Sequence, residues 1–247
     1  PGPGDESLSI GACYSLLVKK FGLNATKKTV ITPENAYWGN NIDKKDRILF
    51  SKNQLVYKNF FSFPDVRLKK TAKLLAKGEI VMFCVGKMEF GQRALGHRSI
   101  LSNPSKISQV KKLNDKIKKR DFWMPFAPSL LKEKASKYIV NPKNLFSPYM
   151  MLAFDTTELA QTEICAAIHP RDKTARVQIV DKLMNPEYWE LINAFYKMSG
   201  TPCILNTSFN LHGYPLVYSF EDAISVFKNS GLNYLVIESF ILKKIKS

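Results

Sequence analysis

Chemistry in this sequence concentrates between Gly86 and Leu101, which read GKMEFGQRALGHRSIL. Three glycines (Gly86, Gly91, Gly96), one acid (Glu89) and two arginines five apart (Arg93, Arg98) stand together there. Glycine lets backbone approach a ligand closely, and a guanidinium fork matches phosphate or carboxylate oxygens in bidentate geometry. The combination suits an anion pocket. It also suits a basic loop whose arginines pair with surface acids, and spacing alone leaves both readings open. The glycine spacing fits neither the Walker pattern GxxxxGK[ST] nor the dinucleotide fingerprint GxGxxG.

Such a loop needs elements to hold it. The apolar run Glu79–Val85 (EIVMFCV), bounded by Gly78 and Gly86, has the length and composition of a strand. A helix over about Asp65–Lys77, with Pro64 at its start, carries Leu68, Ala72 and Leu75 on one face. Asn103-Pro104 opens another, whose stripe Ile107, Val110, Leu113, Ile117 delivers Lys118, Lys119, Arg120 and Asp121 at its end. Pro125 and Pro128 hold FWMPFAP extended, with Phe122, Trp123 and Phe126 wedged against the core. A short helix is expected over about Ser129–Tyr138, then a strand in YMMLAFD.

Asn185-Pro186 starts the clearest helix, with Tyr188, Leu191, Ile192, Phe195 and Met198 on one face and Gly200 at its end. CILNTSFN then runs from strand into polar residues. Its Thr207, Ser208 and Asn210 can donate and accept beside a ligand, or simply make a turn. Ser219, with Asp222 three residues on, caps a last helix, and YLVIESFILKK closes the sheet. His169, alone at a strand end, reads as a hydrogen-bonded structural residue. Strands and helices are interspersed, so the expected fold class is α/β (α+β): a twisted mixed β-sheet with flanking helices.

Composition narrows the partners. Hydrophobic residues make up 45% of the chain and aromatics 12%, which supplies a real core and argues against disorder. No signal peptide is visible and no apolar run approaches a membrane span, so no membrane partner is expected and the compartment reads as cytoplasmic. Cys13, Cys84, Cys165 and Cys203 are scattered among apolar neighbours without CxxC, as buried free thiols rather than a zinc site. The net charge of +16 raises nucleic acid as a partner. The excess is mostly lysine on helix faces, as in LKKTAKLLAK and VKKLNDKIKKR, and no RNA-binding module pattern accompanies it. A lysine-coated surface is the preferred reading.

The Gly86–Leu101 string resembles the signature G-x-M-E-F-G-P-R-A-L-G-N-R-S-I-L of the carbamoyltransferases of antibiotic and nodulation-factor biosynthesis. Here Gln92 replaces the common proline and His97 the common asparagine. Four further stretches are similar and come in the family's order: IKKRDFWMPFAP, AAIHPRDKTARVQ, TPCILNTSFN and the closing YLVIESFILKK. The resemblance thus covers nearly the whole chain. Two departures touch the pocket: Met124 stands where members with antibiotic substrates often have arginine, and HPRDKTAR is one residue longer than the common HVDGTAR.

The resemblance implies a YrdC-like fold, shared with enzymes that make threonylcarbamoyl-adenylate for tRNA modification. It divides the chain into residues 1–24, the tail of an actin-like transfer domain, a connector over 25–63, and a YrdC-like carbamoyl-adenylate domain over 64–247. It implies an enzyme that joins carbamoyl phosphate and ATP, with Mg²⁺ on the nucleotide, into carbamoyl-adenylate for transfer to a hydroxyl of a small-molecule acceptor. Arg93, Lys118, Arg120 and Arg176 are the implied catalytic cations. Arg98, Gly91, Thr207, Ser208 and Asn210 would bind the nucleotide. Asp5 matches a metal ligand of the transfer domain, where a histidine pair and aspartates hold iron or another divalent metal. A basic RNA-binding or threonylcarbamoyl-adenylate-type tRNA-modification module is the alternative.

Overall fold

Alternation within the run VMFC decides the layering. Val81 and Phe83 face one apolar layer, Met82 and Cys84 the other, and all four are buried. A strand covered on both faces reads as a continuous apolar run rather than an alternating one. The computed structural model describes residues 4–29, 35–42, 57–61, 64–121 and 123–244. In chain order the elements are Leu8–Phe21 (α1), Leu23–Thr29 (α2), Tyr57–Phe61 (β1), Pro64–Ala76 (α3), Val81–Cys84 (β2) and Arg98–Ser102 (β3). Next come Ser108–Leu113 (α4), Ala127–Leu131 (β4), Ile139–Val140 (β5), Ala153–Thr156 (β6), Glu158–Glu163 (α5), Thr174–Arg176 (β7) and Gln178–Val180 (β8). Pro186–Ser199 (α6), Cys203–Ser208 (β9), Phe220–Asn229 (α7), Tyr234–Ile237 (β10) and Phe240–Lys244 (β11) complete the chain.

Eight strands form one mixed sheet in the order β1-β11-β10-β2-β3-β9-β4-β8, and β5-β6-β7 form a small second sheet. The β10–β2 and β4–β8 pairs are parallel; the other pairs are antiparallel. On one face, Leu113 and Ile117 at the end of α4 and Ala223 and Phe227 of α7 pack on Met82, Cys84, Ile100 and Leu235. On the other, Leu68, Ala72 and Leu75 of α3 and Tyr188, Leu191, Ile192 and Phe195 of α6 pack on Val81, Phe83, Leu101 and Ile204.

The capping chemistry is local and explicit. Asn185 Oδ1 accepts from the Tyr188 N–H at 3.0 Å, and α6 ends on Gly200 at φ 78°. Ser219 and Asp222 close a full capping box on α7, and the Ser219 N–H holds the Asp222 carboxyl below its ordinary range. Each such cap contributes about 1 kcal/mol.

Several expectations change. Residues 129–138 are not one helix: β4 continues to Leu131, and a 3-10 helix spans Lys132–Lys137. The inner strand position buries all of Ala127–Leu131, and burial on both faces erases the period that separates strand from helix. YLVIESFILKK is a hairpin, β10 and β11, turned at Glu238, whose φ is +48°. The Asn103-Pro104 start is an Asx turn (Ser105 N–H to Asn103 Oδ1, 2.9 Å), and α4 begins only at Ser108. Trp123 and Met198 are exposed rather than buried, as is Cys13; Phe126 is buried as expected, and Phe122 lies outside the described residues. Part of the 25–63 stretch also lies outside them. α2 (Leu23–Thr29) runs across the expected boundary at residue 24 into it, and within it Tyr57–Phe61 pairs with β11 as an edge strand.

Candidate functional site

β2 ends at Cys84, and the chain enters the signature loop before returning as β3. Glu89 is the hub of that loop. Its buried Oε1 accepts from the N–H groups of Leu95 (2.7 Å), His97 (2.7 Å) and Arg98 (3.0 Å). The glycines permit the path: φ is +101° at Gly91 and +111° at Gly96, and a Cβ on Gly96 would lie 2.4 Å from the Tyr188 ring. Underneath, Asn206 Nδ2 donates to Ala94 O (3.1 Å), and Gln178 Nε2 donates to Leu95 O (2.9 Å). Each of these buried amides donates an N–H to a loop carbonyl, which fixes the loop to β8 and β9.

The two signature arginines diverge from this frame. Arg98 is fully buried and donates to the carbonyls of Val85 (2.9 Å), Gly86 (3.1 Å), His97 (3.2 Å) and Asn40 (3.4 Å). It closes the loop from within. Arg93 instead reaches a cleft of about 440 Å³ that Arg120, Arg176, Met124, His169 and His212 also line. Among the described residues no carboxylate forms an ion pair with Arg93, Arg120 or Arg176. The Nε atoms of Arg93 and Arg176, like that of Arg98, are buried without a hydrogen-bond partner.

Burial, and then the neighbouring guanidiniums of Arg93 and Arg120, pull Arg176 down to about 10. Arg120 is lowered by burial and by Arg93, and Arg93 by burial, with Glu6 opposing. Three like charges in one half-buried cleft disfavour each other, and an anion there reverses the sign of that interaction.

Lys118 stands beside Arg120. Its ammonium is buried and donates to Ser208 O (2.5 Å) and Oγ (3.0 Å) and to Asn210 O (3.3 Å) and Oδ1 (2.6 Å). Ser208 Oγ donates in turn to Asn210 Oδ1 at 2.8 Å. Burial first, and then Arg120, pull Lys118 down to about 7. The placement has a backbone cause: Asn114–Lys118 form a π-helical turn, and Lys119 leaves it at φ +46°.

The structure therefore brings Arg93, Arg120 and Arg176 together in one cleft, with Lys118, Ser208 and Asn210 as a linked cluster beside it. Gly91 lies in the loop two residues before Arg93. Thr207 is buried within β9 opposite Ile100, and Arg98 is turned inward rather than to the cleft. Asp5 is exposed in a 3-10 turn. Among the described residues no group of three His, Cys, Asp or Glu side chains could hold a metal. His169 lines the cleft and its Nδ1 lies 3.0 Å from Asp172 Oδ1. Sequence reasoning gave no site role to Glu6, whose charge acts on Arg93, or to the supporting residues Tyr37, Gln178, Asn185 and Asn206. For Gln178 and Asn206, a polar residue inside an apolar strand was the one available signal.

The model of the family described as Carbamoyltransferase C-terminus matches residues 72–244, which include the whole cleft. The chain belongs to the carbamoyltransferase family. Nodulation protein NolO of Bradyrhizobium diazoefficiens is 33% identical over 245 residues, covering 99% of this chain and 44% of that protein. Nodulation protein NolNO of Sinorhizobium fredii is 33% identical over 247 residues, covering 99% of this chain and 35% of that protein. The chain thus spans less than half the length of these curated relatives. Full-length HypF, solved in a phosphate- and nucleotide-bound form, superposes with a TM-score of 0.51 at 20% identity, over 70% of this chain and 25% of that one. That likeness gives the fold, which is YrdC-like. Among the described residues no helix is long and apolar enough to cross a membrane.

Proposed function

We propose that the arginine cleft binds ATP and carbamoyl phosphate and forms carbamoyl-adenylate, which then supplies the carbamoyl group to a hydroxyl of a small-molecule acceptor. The observation that carries this reading is the convergence of Arg93, Arg120 and Arg176 in one cleft, where among the described residues no carboxylate forms an ion pair with them. Carbamoyl phosphate yields carbamate as its phosphoryl group passes to water. A carbamate oxygen then attacks the α-phosphorus of ATP; the new P–O bond forms as the bond to pyrophosphate breaks, and pyrophosphate leaves with the electron pair. No protein nucleophile is needed, so positioning and charge stabilisation carry the catalysis. Arg93, Arg120 and Arg176 hold phosphate and carbamoyl oxygens. Lys118 adds a cation that Ser208 and Asn210 orient, and those two groups offer neutral hydrogen bonds to the adenylate. Mg²⁺ travels on the nucleotide phosphates rather than in a protein cage.

Transfer to the acceptor belongs, on this reading, to an actin-like domain whose tail is residues 1–24. The exposed apolar side chains of Leu8, Leu16 and Phe21 on α1 support that assignment, since they bury well only against further structure. Asp5 alone does not make a metal site, because a transition metal takes several protein ligands. Pyrophosphate release tests the proposal: the protein incubated with ATP, Mg²⁺ and carbamoyl phosphate should produce it, and Arg176→Ala should not. Absence of pyrophosphate together with absence of ATP binding would overturn it.

A further inference from the structure

Residues 36–40 lie along the signature loop like an added strand. Phe90 N–H donates to Ala36 O (2.7 Å), Gly39 N–H to Met88 O (3.0 Å), and Met88 N–H to Asn40 O (3.1 Å). Gly39 is required by this approach, because a Cβ there would sit 2.8 Å from Met88 Cβ and 3.0 Å from Met88 O. Tyr37, at the centre of the strap, reaches the loop's far end. Its hydroxyl donates to Leu95 O (2.9 Å) and accepts from Asn185 Nδ2 (2.7 Å). Its ring stacks on His97 at a centroid distance of 4.0 Å and an angle of 24°.

His97 extends the chain. Its Nδ1 lies 2.6 Å from Lys87 O, which can only accept, so that nitrogen carries the proton and Nε2 receives Asn185 Nδ2 at 3.2 Å. Asn185 in turn caps α6. One hydroxyl thus joins three elements: the strap, the signature loop and the start of a helix packed in the core. Burial, and then the charge of Glu89, push the Tyr37 phenol well above its ordinary value, so it remains a donor. Leu95 is two residues from Arg93, and the loop between them has no other bridge to the strap among the hydrogen bonds of the described residues.

We propose that Tyr37 is a positioning residue for Arg93: by tying Leu95 O to Asn185 and to the strap, it holds the loop that presents the guanidinium to the cleft. The inference rests on the nucleotide reading above. Tyr37→Phe removes the hydroxyl and keeps the ring stack, and should weaken ATP binding in titration calorimetry by roughly three- to tenfold, the effect of one neutral hydrogen bond. In an Arg93→Ala background the same change should cost nothing further, because its effect runs through Arg93. Gly39→Ala, which displaces the strap without touching the hydroxyl, should reproduce the loss. Amide hydrogen exchange over residues 91–97 of the ligand-free Tyr37→Phe protein should quicken, a readout independent of ATP. Failure of the wild-type protein to bind ATP would sink the nucleotide reading. Wild-type binding with Tyr37→Phe unaltered in affinity and exchange, or an equal loss in the Arg93→Ala background, would overturn this inference alone.

Discussion

Arg98 and Arg93 lie five residues apart on one loop and have opposite environments. Arg98 has no exposed surface, and its terminal nitrogens donate to the carbonyls of Val85, Gly86 and His97. Arg93 faces a cleft with two further guanidiniums and forms no ion pair among the described residues. Arg67 belongs with Arg98: it is buried and bonded to Glu187 and to the Glu238 carbonyl. A buried arginine whose terminal nitrogens meet several acceptors stabilises a fold. A cluster of arginines without ion-pair partners among the described residues leaves like charges facing one another. The distinction lies in the acceptors around the side chain, not in the residue type.

The comparison breaks most visibly at Arg98. Arg98→Ala should cost at least about 3 kcal/mol of stability, since several buried carbonyls lose a charge-assisted donor at once. Denaturant unfolding measures it, and a near-neutral result would remove the structural role. Arg93→Ala and Arg120→Ala should instead leave unfolding nearly unchanged while weakening ATP binding about ten- to a hundredfold, the value of one charge-assisted hydrogen bond. Calorimetry with Mg-ATP decides whether the two classes separate.

Lys118 sharpens the comparison through pH. It is a saturated cation, yet burial lowers it to about 7 from the ordinary 10.5. Between those values the unfolded chain binds more protons than the folded one. Stability from this group therefore rises with pH through that window, and the cost of burying the charge is greatest below about 7. Anion binding moves the other way: if it uses the ammonium, affinity should fall by up to roughly tenfold per pH unit above about 7. Lys118→Met should flatten both profiles. The smallest effect is expected at the exposed Lys69 and Lys73, where glutamine should leave ATP affinity unaltered at about 0.1 M salt because exposed charges beyond roughly 10 Å are screened.

Much of this was legible in the sequence, for identifiable reasons. The α3 and α6 stripes, the Asn185 and Ser219 caps and the β2 strand are local patterns, and local patterns survive folding. Charge and motif distinguish Arg93, Lys118, Arg120 and Arg176 in the sequence, and the fold places them near one another. The inward turn of Arg98 was not readable, because it depends on Val85, Gly86 and Asn40 carbonyls that only the folded loop presents. Tyr37 and Gln178 meet at Leu95 O, and Asn185 donates to the Tyr37 hydroxyl, across long sequence separations that nothing local signals. The strand over Ala127–Leu131 was hidden by burial on both faces.

The central claim is that the cleft arginines are held for an anion rather than for the fold. Thermal unfolding of wild type and Arg176→Ala, each with and without millimolar Mg-ATP, tests it most directly. The account predicts that ligand-free Arg176→Ala melts at or above the wild-type temperature, since one of three repelling charges is gone, and that ATP raises only the wild-type midpoint. A ligand-free Arg176→Ala protein that melts well below wild type, and is still stabilised by ATP to the same degree, would contradict it.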